Sequence, residues 1–596
     1  MHKKPIKEIE FRRVTFEDIP TETQKSIVVP PVESAPQEQA ESSSQALRRS
    51  ARVSNPPDRY VPSLSYVLLT DSGKSSCYTE AMQMDDRVKW EQAMQSEYDS
   101  IVGNDTWDLV EMPKGKKPLP CKWVYKKKFT SDDPAPKYKA RLVAKGFKQQ
   151  HGVDFDEIFS PVVKMTTLRT VLGLVAIEDM ELVQMDVKTA FLHGDLEEDV
   201  YMAQPEGYEQ PGKEQLVCKL NKALYGLKQG SRQWYQKFDT FMRSQEFKRS
   251  QEDYCLYTKK LSDGLQIILI LYVDDMLIAG KSKSEIANLK QILSSQFAMK
   301  DLGEANHFLG MRIKRNRKKG ILELSQESYI KKVLQRFNMT EGKSVSTPLP
   351  SYVKLSNDDS PKSDFEKEEM AKVPYSSAVG SLMWAMIATR PDIAFTVGVV
   401  SRYMANPGKK HWLAVKNIFR YLKGTANRCL QFGNSDPAIV GYTDSDYGGC
   451  VDTRRSTSGY IFLFAGGAIS WRSTLQKCTS SSTTEAEYIA ASDASKEAIW
   501  LARLVGDLGI QHIPVLHSDS QSAIALARNP VFHSKSKHIE VRYHFIRDVL
   551  AEKRLQLVKV HTDDNPFDNL TKSLAFERFD RCIELMSVGA ATIPHA

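Results

Sequence analysis

The sequence predicts an α/β (α+β) protein built from several packed units, and three observations lead there. The chain has 596 residues, several times the roughly 100–200 that one hydrophobic core usually serves. Hydrophobic residues make up 41% and charged residues 26%, close to the averages of soluble globular proteins and far from collagen-like, disulfide-scaffold or disordered chains. The apolar spacing also switches repeatedly between periods near 3.6 and near 2, the signatures of helix and strand.

Residues 1–60 hold seven prolines, a polar run at 38–44 and three aromatics, Phe11, Phe16 and Tyr60. That is too little apolar material to repay ordering entropy, so residues 1–77 read as a tail or linker. The basic start MHKKPIKEIEFRRV precedes no apolar stretch or cleavage site, so no secretory signal is expected. No strictly apolar run exceeds seven residues, as at 267–273, whereas a span needs about 18–20, so no membrane partner is expected. The eight cysteines form no C-x-x-C pair and read as reduced thiols.

Ordered structure is expected from Tyr78, where Ala81, Trp90, Met94 and Tyr98 fall at helical spacings before NDTWDLVEMP turns to strand alternation. Residues 113–150 carry eleven Lys and one Arg against two Asp, a local excess of +10 in a chain whose net charge is +8. Interleaved with Trp123, Tyr125, Phe129, Tyr138 and Phe147, these cations suit a polyphosphate or nucleic-acid surface; a solvated Lys-rich hairpin is the alternative.

The polar stretch 351–372 reads as a loop or connection. HWLAVKNIFRYLKG then places Trp412, Val415, Ile418, Phe419 and Leu422 on one face, with Gly424 as a stop. From Ala438 the pattern resets to strand-like AIVGYTDSDYGG, strand-like SGYIFLFAGGAISW, a long helix over about 483–508, the short strand VLHSD and further helix. This order predicts a separate α/β domain of about 150 residues.

Two groups of acids stand out. Asp274 and Asp275 lie between apolar strand-like runs in LQIILILYVDDMLIAG. Adjacent like charges there call for a solvent-open turn or a divalent cation. The other Asp-Asp pairs, beginning at Asp85, Asp132, Asp358 and Asp563, lie in polar surroundings. Asp186 ends another apolar run in LVQMDVKTAFL; it reads either as a strand-end acid capping a turn or as a partner of the pair in two-metal phosphoryl transfer.

These residues carry a resemblance. Tyr272-Val273-Asp274-Asp275 resembles the Y-x-D-D box of reverse transcriptases, and Gln184 to Phe191, QMDVKTAF, their first acidic motif. LYGLKQGSRQWY, residues 224–235, is similar to the middle motif of copia-type retrotransposon enzymes. KWVY at 122–125, YKARLVAKG at 138–146, SPVV at 160–163 and FLG at 308–310 extend it over roughly residues 78–575.

The resemblance implies a right-hand polymerase fold of fingers, palm and thumb over 78–345, a connection region over 346–435, a ribonuclease H-like α/β domain over 436–580 and a tail over 581–596. Asp186, Asp274 and Asp275 would be catalytic and would hold two Mg²⁺ ions, or Mn²⁺ in their place, with the Val187 backbone facing a metal or phosphate. Phe191 would lie under the incoming sugar and select dNTPs; its alternative is core packing. Gln229 and Gly230 would let the backbone approach the nucleotide, beside Tyr272 of the Y-x-D-D box. Ser231 stands where many relatives have Pro. Lys139, Arg141 and Lys145 would neutralise the triphosphate.

In the C-terminal part, Asp444, Glu487, Asp519 and Asp568 follow one another at spacings of 43, 32 and 49 residues. This order resembles ribonuclease H, whose acids hold two Mg²⁺ and cut the RNA strand of a hybrid. Asp446 competes with Asp444. Glu485 competes with Glu487, but Ser482-Thr483-Thr484-Glu485 has the form of a capping box, which gives Glu485 a structural task. His561 would assist product release or be a surface residue, and residues 537–545, KHIEVRYHF, match a copia-type signature without an assigned role.

The partners so implied are an RNA template, a DNA or tRNA primer, dNTPs, an RNA-DNA hybrid and other retroelement proteins, in cytoplasmic particles when the element is complete, with a nuclear stage and a homodimer left open. No Cys-rich knuckle or His-His/Cys-Cys cluster appears, so the chain is expected to be the C-terminal part of a polyprotein, and LRRS at 47–50 with PPDRY at 56–60 resembles the linker after its integrase. The competing reading is an inactive or domesticated remnant that binds nucleic acid; loss of an acid would favour it, and all are present. A third, an RNA-replicating polymerase, is opposed by Phe191 and by the nuclease that follows.

Overall fold

The helical spacing around Trp90 becomes α1 (Tyr78–Gln83) and α2 (Arg87–Gly103), and NDTWDLVEMP yields β1 (Trp107–Val110). The computed structural model describes residues 77–130, 133–433, 435–529, 539, 541–562, 565 and 568–590. Of the expected tail at 1–77, residues 1–76 lie outside these, as do three residues of the KHIEVRYHF signature, 537, 538 and 540.

The chain divides into two compact units. The smaller comprises residues up to Asp99, Lys122–Leu142 and Pro205–Glu209, and its body is the basic segment itself, folded as a long hairpin of β2 (Cys121–Thr130) and β3 (Asp133–Ala144). Aromatic residues between the lysines hold it against the helices: the fully buried Trp90 ring lies 5.2 Å from Tyr125 and 4.6 Å from Tyr138, edge to face. Lys127 pairs with Asp86 at 2.6 Å.

The larger unit holds the rest. It opens with α3 (Met165–Ile177), β4 (Glu181–Val187), β5 (Asp195–Met202), β6 (Val217–Lys222) and α4 (Gly230–Ser244). There follow β7 (Lys248–Arg249), β8 (Leu256–Lys260), β9 (Gln266–Tyr272), β10 (Asp275–Gly280), α5 (Lys283–Gln296) and β11 (Met299–Glu304). An antiparallel six-stranded sheet runs β11-β4-β10-β9-β8-β7. Its central β9 buries every residue from Ile267 to Leu271, so the apolar run has both faces covered. Helix α4 turns Trp234, Phe238 and Met242 inward at helical spacing. Helix α3 buries every residue from Thr167 to Ala176; a helix apolar all round must be enclosed on all sides.

Beyond this sheet come β12 (His307–Phe308), β13 (Met311–Asn316), β14 (Ile321–Ser325), α6 (Glu327–Arg336), α7 (Asp364–Ala371), α8 (Tyr375–Ala388), α9 (Ala394–Ser401), α10 (Lys409–Gly424) and β15 (Arg428–Phe432). Helix α10 buries Val415, Ile418, Phe419 and Leu422 as its spacing predicts, with Trp412 half-buried. The stretch 351–372 differs from the loop expected: α7 forms there, because Ser363 and Glu366 make a reciprocal capping box that starts a helix with little apolar content.

The last part contains β16 (Val440–Ser445), β17 (Thr457–Phe464), β18 (Gly467–Leu475), α11 (Thr483–Asp507), β19 (Val515–Ser518), α12 (Gln521–Arg528), α13 (Phe545–Ala551), β20 (Gln556–Lys559), α14 (Phe576–Leu585) and β21 (Val588–Ala590). Its mixed sheet runs β18-β17-β16-β19-β20, antiparallel on the β17 side of β16 and parallel on the β19 side. SGYIFLFAGGAISW is a hairpin and not a single strand: Ala465 and Gly466 both take positive φ, 51° and 76°, as a two-residue turn requires.

Helix α14 crosses residue 580, and β21 pairs with β15 to complete the sheet β12-β13-β14-β15-β21. The expected tail therefore contributes ordered structure as far as residue 590. Among the described residues no helix is long and apolar enough to cross a membrane.

Candidate functional site

Two carboxylate sites form in the larger unit. At the first, Tyr272 and Asp275 face each other across the tight β9–β10 turn, which puts Val273 and Asp274 at its tip. Val273 takes φ +58°, a costly conformation for a β-branched residue. Trp234 of α4 holds it there by donating from Nε1 to the Val273 carbonyl at 2.6 Å. On the other side β10 pairs with β4, so Asp275 stands directly opposite Asp186. The Val187 N–H donates to the Asp274 carbonyl at 2.9 Å, and Gln184 Nε2 donates to Asp275 Oδ1 at 3.3 Å. Strand register thus brings Asp186 and the distant pair Asp274 and Asp275 to one end of the sheet, all half-buried. Lys300 of β11, exposed, is the other register neighbour of Asp186.

Around this end, Phe191 sits in a short turn after Thr189, which takes φ +52°, and its half-buried ring lies 4.9 Å from that of Tyr225. Gln229 is fully buried and its amide is internal glue: it accepts from Gln149 Nε2 at 3.0 Å and donates to the Asp154 carbonyl at 2.9 Å. Gly230 opens α4, and a Cβ there would lie no closer than 3.4 Å to Leu224 O, ordinary contact, so no protein neighbour demands the glycine. Gly226, by contrast, takes φ +93° against the Ala144 carbonyl, which a Cβ would overlap. In the smaller unit, Lys139 is exposed and Arg141 half-buried on β3. The buried Glu97 of α2 feels both cations: burial raises its carboxyl pKa while Arg141 and Lys139 oppose the shift.

The second site lies at one edge of the mixed sheet. Strands β16 and β19 are parallel, with Tyr442 opposite His517; two residues further along each, Asp444 lies near the end of β16 and Asp519 just past the end of β19. Glu487, on the second turn of α11, reaches the same point and accepts from the Ser445 N–H at 3.2 Å through Oε1. Ligand oxygens of Asp444, Glu487 and Asp519 all lie within 4.8 Å of one another. The second Glu487 oxygen is buried without a hydrogen-bond partner among the described residues. Burial and the neighbouring acids push the Asp444 carboxyl up to about 7 and raise that of Glu487 well above its usual range. A cluster of oxygen donors with one buried and unpaired suits a hard divalent cation.

Asp568 lies close to this cluster and outside it. It is fully buried and ion-paired with Lys572 at 3.0 Å and with Arg578, while Thr571 donates its hydroxyl to Asp444. Gly459, opposite Asp444 in register, makes room for this segment, since a Cβ there would lie 2.9 Å from Leu570 and Thr571.

The two competing acids have other work. Asp446 accepts from the Thr457 N–H at 2.6 Å, and Glu485 accepts from the Ser481 N–H at 2.7 Å while its own N–H is capped by Ser482. His561 is exposed. Trp234, Lys572, Arg578 and Glu97 escaped the sequence reading. For Lys572 and Arg578, an i+4 and an i+10 cation after a buried acid was the available signal.

Residues 104–351 match the family model for reverse transcriptase (RNA-dependent DNA polymerase). Over 545 residues the chain is 56% identical to the retrovirus-related Pol polyprotein from transposon TNT 1-94 of Nicotiana tabacum, a match that covers 91% of this chain and 41% of that relative. Over 315 residues it is 34% identical to the putative transposon Ty5-1 protein of Saccharomyces cerevisiae, covering 52% of this chain and 100% of that protein. The solved structure of LC11-RNase H1 in complex with an RNA/DNA hybrid aligns with 22% of this chain and 93% of its own at 18% identity, with a TM-score of 0.17. The chain spans less than half the length of the tobacco relative. It belongs to the family of copia-type retrotransposon Pol polyproteins, with residues 104–351 matching the reverse transcriptase part.

Proposed function

We propose that this chain copies RNA, and then DNA, into DNA at the site of Asp186, Asp274 and Asp275, and cuts the RNA strand of RNA-DNA hybrids at the site of Asp444, Glu487 and Asp519. The observation that carries this reading is the presence of two separate carboxylate sites, each gathered from distant segments, in one chain. The three acids of the first site, with the Val187 backbone, would hold divalent cations, Mg²⁺ with Mn²⁺ as substitute, and so would the acids of the second. Such ions supply Lewis-acid activation of the attacking hydroxyl or water and neutralise charge on the leaving group.

The chain's own residues do the rest. The turn at Val273, fixed by Trp234, sets Asp274 and Asp275 before substrate arrives, so no reorganisation is needed during reaction. Phe191 lies under the nucleotide sugar, and Gly230, on which no neighbouring side chain makes a demand, lets the backbone approach the base pair. Gln229 acts by pinning residues 149–154 to the start of α4. Within the smaller unit, Lys139 and Arg141 offer cations to a polyphosphate, and Glu97 balances part of their charge. At the second site Asp568 serves as the counter-ion of Lys572 and Arg578 and fixes the segment that presents Thr571 to Asp444.

The test is dTTP incorporation on poly(rA)/oligo(dT) by the purified chain with Mg²⁺ or Mn²⁺, beside an Asp274→Asn control. Incorporation that vanishes in the control supports the reading. A folded chain that binds the template-primer and incorporates nothing with either ion would move the conclusion to a binding remnant.

A further inference from the structure

One cation in the larger unit is used by neither site. Arg169 is a lone charge in the apolar helix α3, MTTLRTVLGLVAI, and it is almost fully buried. It projects from α3, the helix that leads into β4 of the six-stranded sheet, toward two segments much later in the chain. Its Nε donates to the Ile469 carbonyl of β18, 300 residues away, at 2.7 Å. Its Nη1 donates to the Ile387 and Ala388 carbonyls at 2.7 and 3.0 Å. These end α8, where carbonyls lack intrahelical partners and the helix dipole favours a cation.

Trp471 of β18 completes the junction. Its ring lies 3.8 Å from the guanidinium carbon, and its Nε1 donates to the Met386 carbonyl at 3.1 Å, the preceding residue of the same helix end. One planar guanidinium with a fixed donor fork thus joins α3, which Thr167 ties to Asp253 between β7 and β8, with the connecting helix and the nuclease sheet. Lysine has neither the planar fork nor the stacking face.

A second seam runs beside it. Gly173 of α3 faces Phe464 and Ala465 closely enough that a Cβ would lie 3.0 and 3.3 Å from them. Lys164 Nζ lies 3.6 Å from the Trp500 ring centre, Trp500 Nε1 donates to the Glu252 carbonyl at 3.2 Å, and Ser250 donates its hydroxyl to Asp507 at 2.7 Å. These contacts join the polymerase segment to α11, the helix that carries Glu487.

We propose that Arg169 is a positioning residue that clamps the nuclease to the polymerase sheet, so that both sites stay at one separation along a bound hybrid and RNA is cut at a fixed distance behind the growing primer end. This rests on the two activities proposed above. The clamp acts through main-chain carbonyls on both sides, so it fixes orientation and touches no reacting group.

The test uses the full chain and its Arg169→Gln and Arg169→Lys variants, each shown to be folded by circular dichroism and thermal melting. End-labelled RNA annealed to a recessed DNA primer reports where cuts fall, and dyes at the exposed Lys283 and Lys559 report the distance between the two parts. The parent chain is expected to give one narrow cluster of cuts and one narrow distance distribution. In both variants each should broaden about twofold or more as the docked part opens locally, with dTTP incorporation and total cleavage of a long hybrid retained. Folded variants with unchanged cut positions and distances overturn the proposal. If Arg169→Gln fails to fold, Trp500→Leu at the second seam takes its place with the same two readouts. A parent chain that neither incorporates nor cuts removes the activities, while the dye distances still decide the clamp.

Discussion

Asp186 of β4 and Asp275 of β10 are register partners in neighbouring antiparallel strands, 89 residues apart in the chain and directly opposite in the sheet. A slip of one residue on either strand would send one carboxylate to the other face. The burial of both β-strand interiors fixes the register and therefore the site.

Because the two carboxylate sites share no residue, they should fail independently. Asp274→Asn is expected to lower dNTP incorporation by on the order of a thousandfold, about 4 kcal/mol of barrier, while hybrid cleavage continues. Asp519→Asn should do the reverse. Loss of both activities in either folded variant would contradict two separate centres.

Phe191 packs its ring on Tyr225 and is only half-buried, so truncation should be tolerated by the fold. Phe191→Ala should reduce discrimination against ribonucleotides by about tenfold or more, about 1.4 kcal/mol. The check is the ratio of kcat/KM for dTTP and UTP on the same template. An unchanged ratio assigns Phe191 to packing alone.

Glu485 and Glu487 lie two residues apart with different work. Glu485→Ala removes a cap interaction and should cost about 1 kcal/mol, a melting shift of a few degrees, with cleavage intact. Glu487→Gln should abolish cleavage and leave the melting temperature unchanged or higher, since a buried unpaired carboxylate oxygen is expensive. Exchanged phenotypes would reverse the assignment.

The raised Asp444 carboxyl predicts a pH effect of definite sign. Its folded pKa, about 7, exceeds its ordinary value of 3.8, so without metal its contribution favours folding at low pH and is lost as pH rises from about 4 to 7. A divalent cation binds the deprotonated cluster, so its stabilisation should grow over the same window. Melting curves of the parent chain minus those of Asp444→Asn, in EDTA and in Mg²⁺, report both. A parent chain that gains stability over Asp444→Asn with rising pH in EDTA would sink the assignment.

How much of this was legible depends on how local each cause is. Tyr272-Val273-Asp274-Asp275 announces itself because two charges between apolar runs need a reason within ten residues. Asp444 and Asp519 stand at strand ends that alternation reveals. Glu485 was separated from Glu487 by a cap motif spanning four residues. Arg169 was invisible, since its acceptors are carbonyls up to 300 residues away and carbonyls leave no trace in a sequence. The same holds for Asp568, whose ion pairs with Lys572 and Arg578 take it out of the three-acid cluster near which it lies. The strand β21 is three residues long and gains its meaning only from β15. The hairpin in SGYIFLFAGGAISW was missed because Ala465, a residue that rarely takes positive φ, shares the turn with Gly466.

The contact between Arg169 and Ile469 also orders events in time. A ribosome adds about 5–20 residues per second, so the 300 residues between them take on the order of 15 to 60 s to appear. Over that interval the emerging polymerase segment holds a helix made to be enclosed, with one side still waiting for its cover. That exposed apolar flank is where a chaperone would gain most by binding, and where a chain halted early would be expected to aggregate.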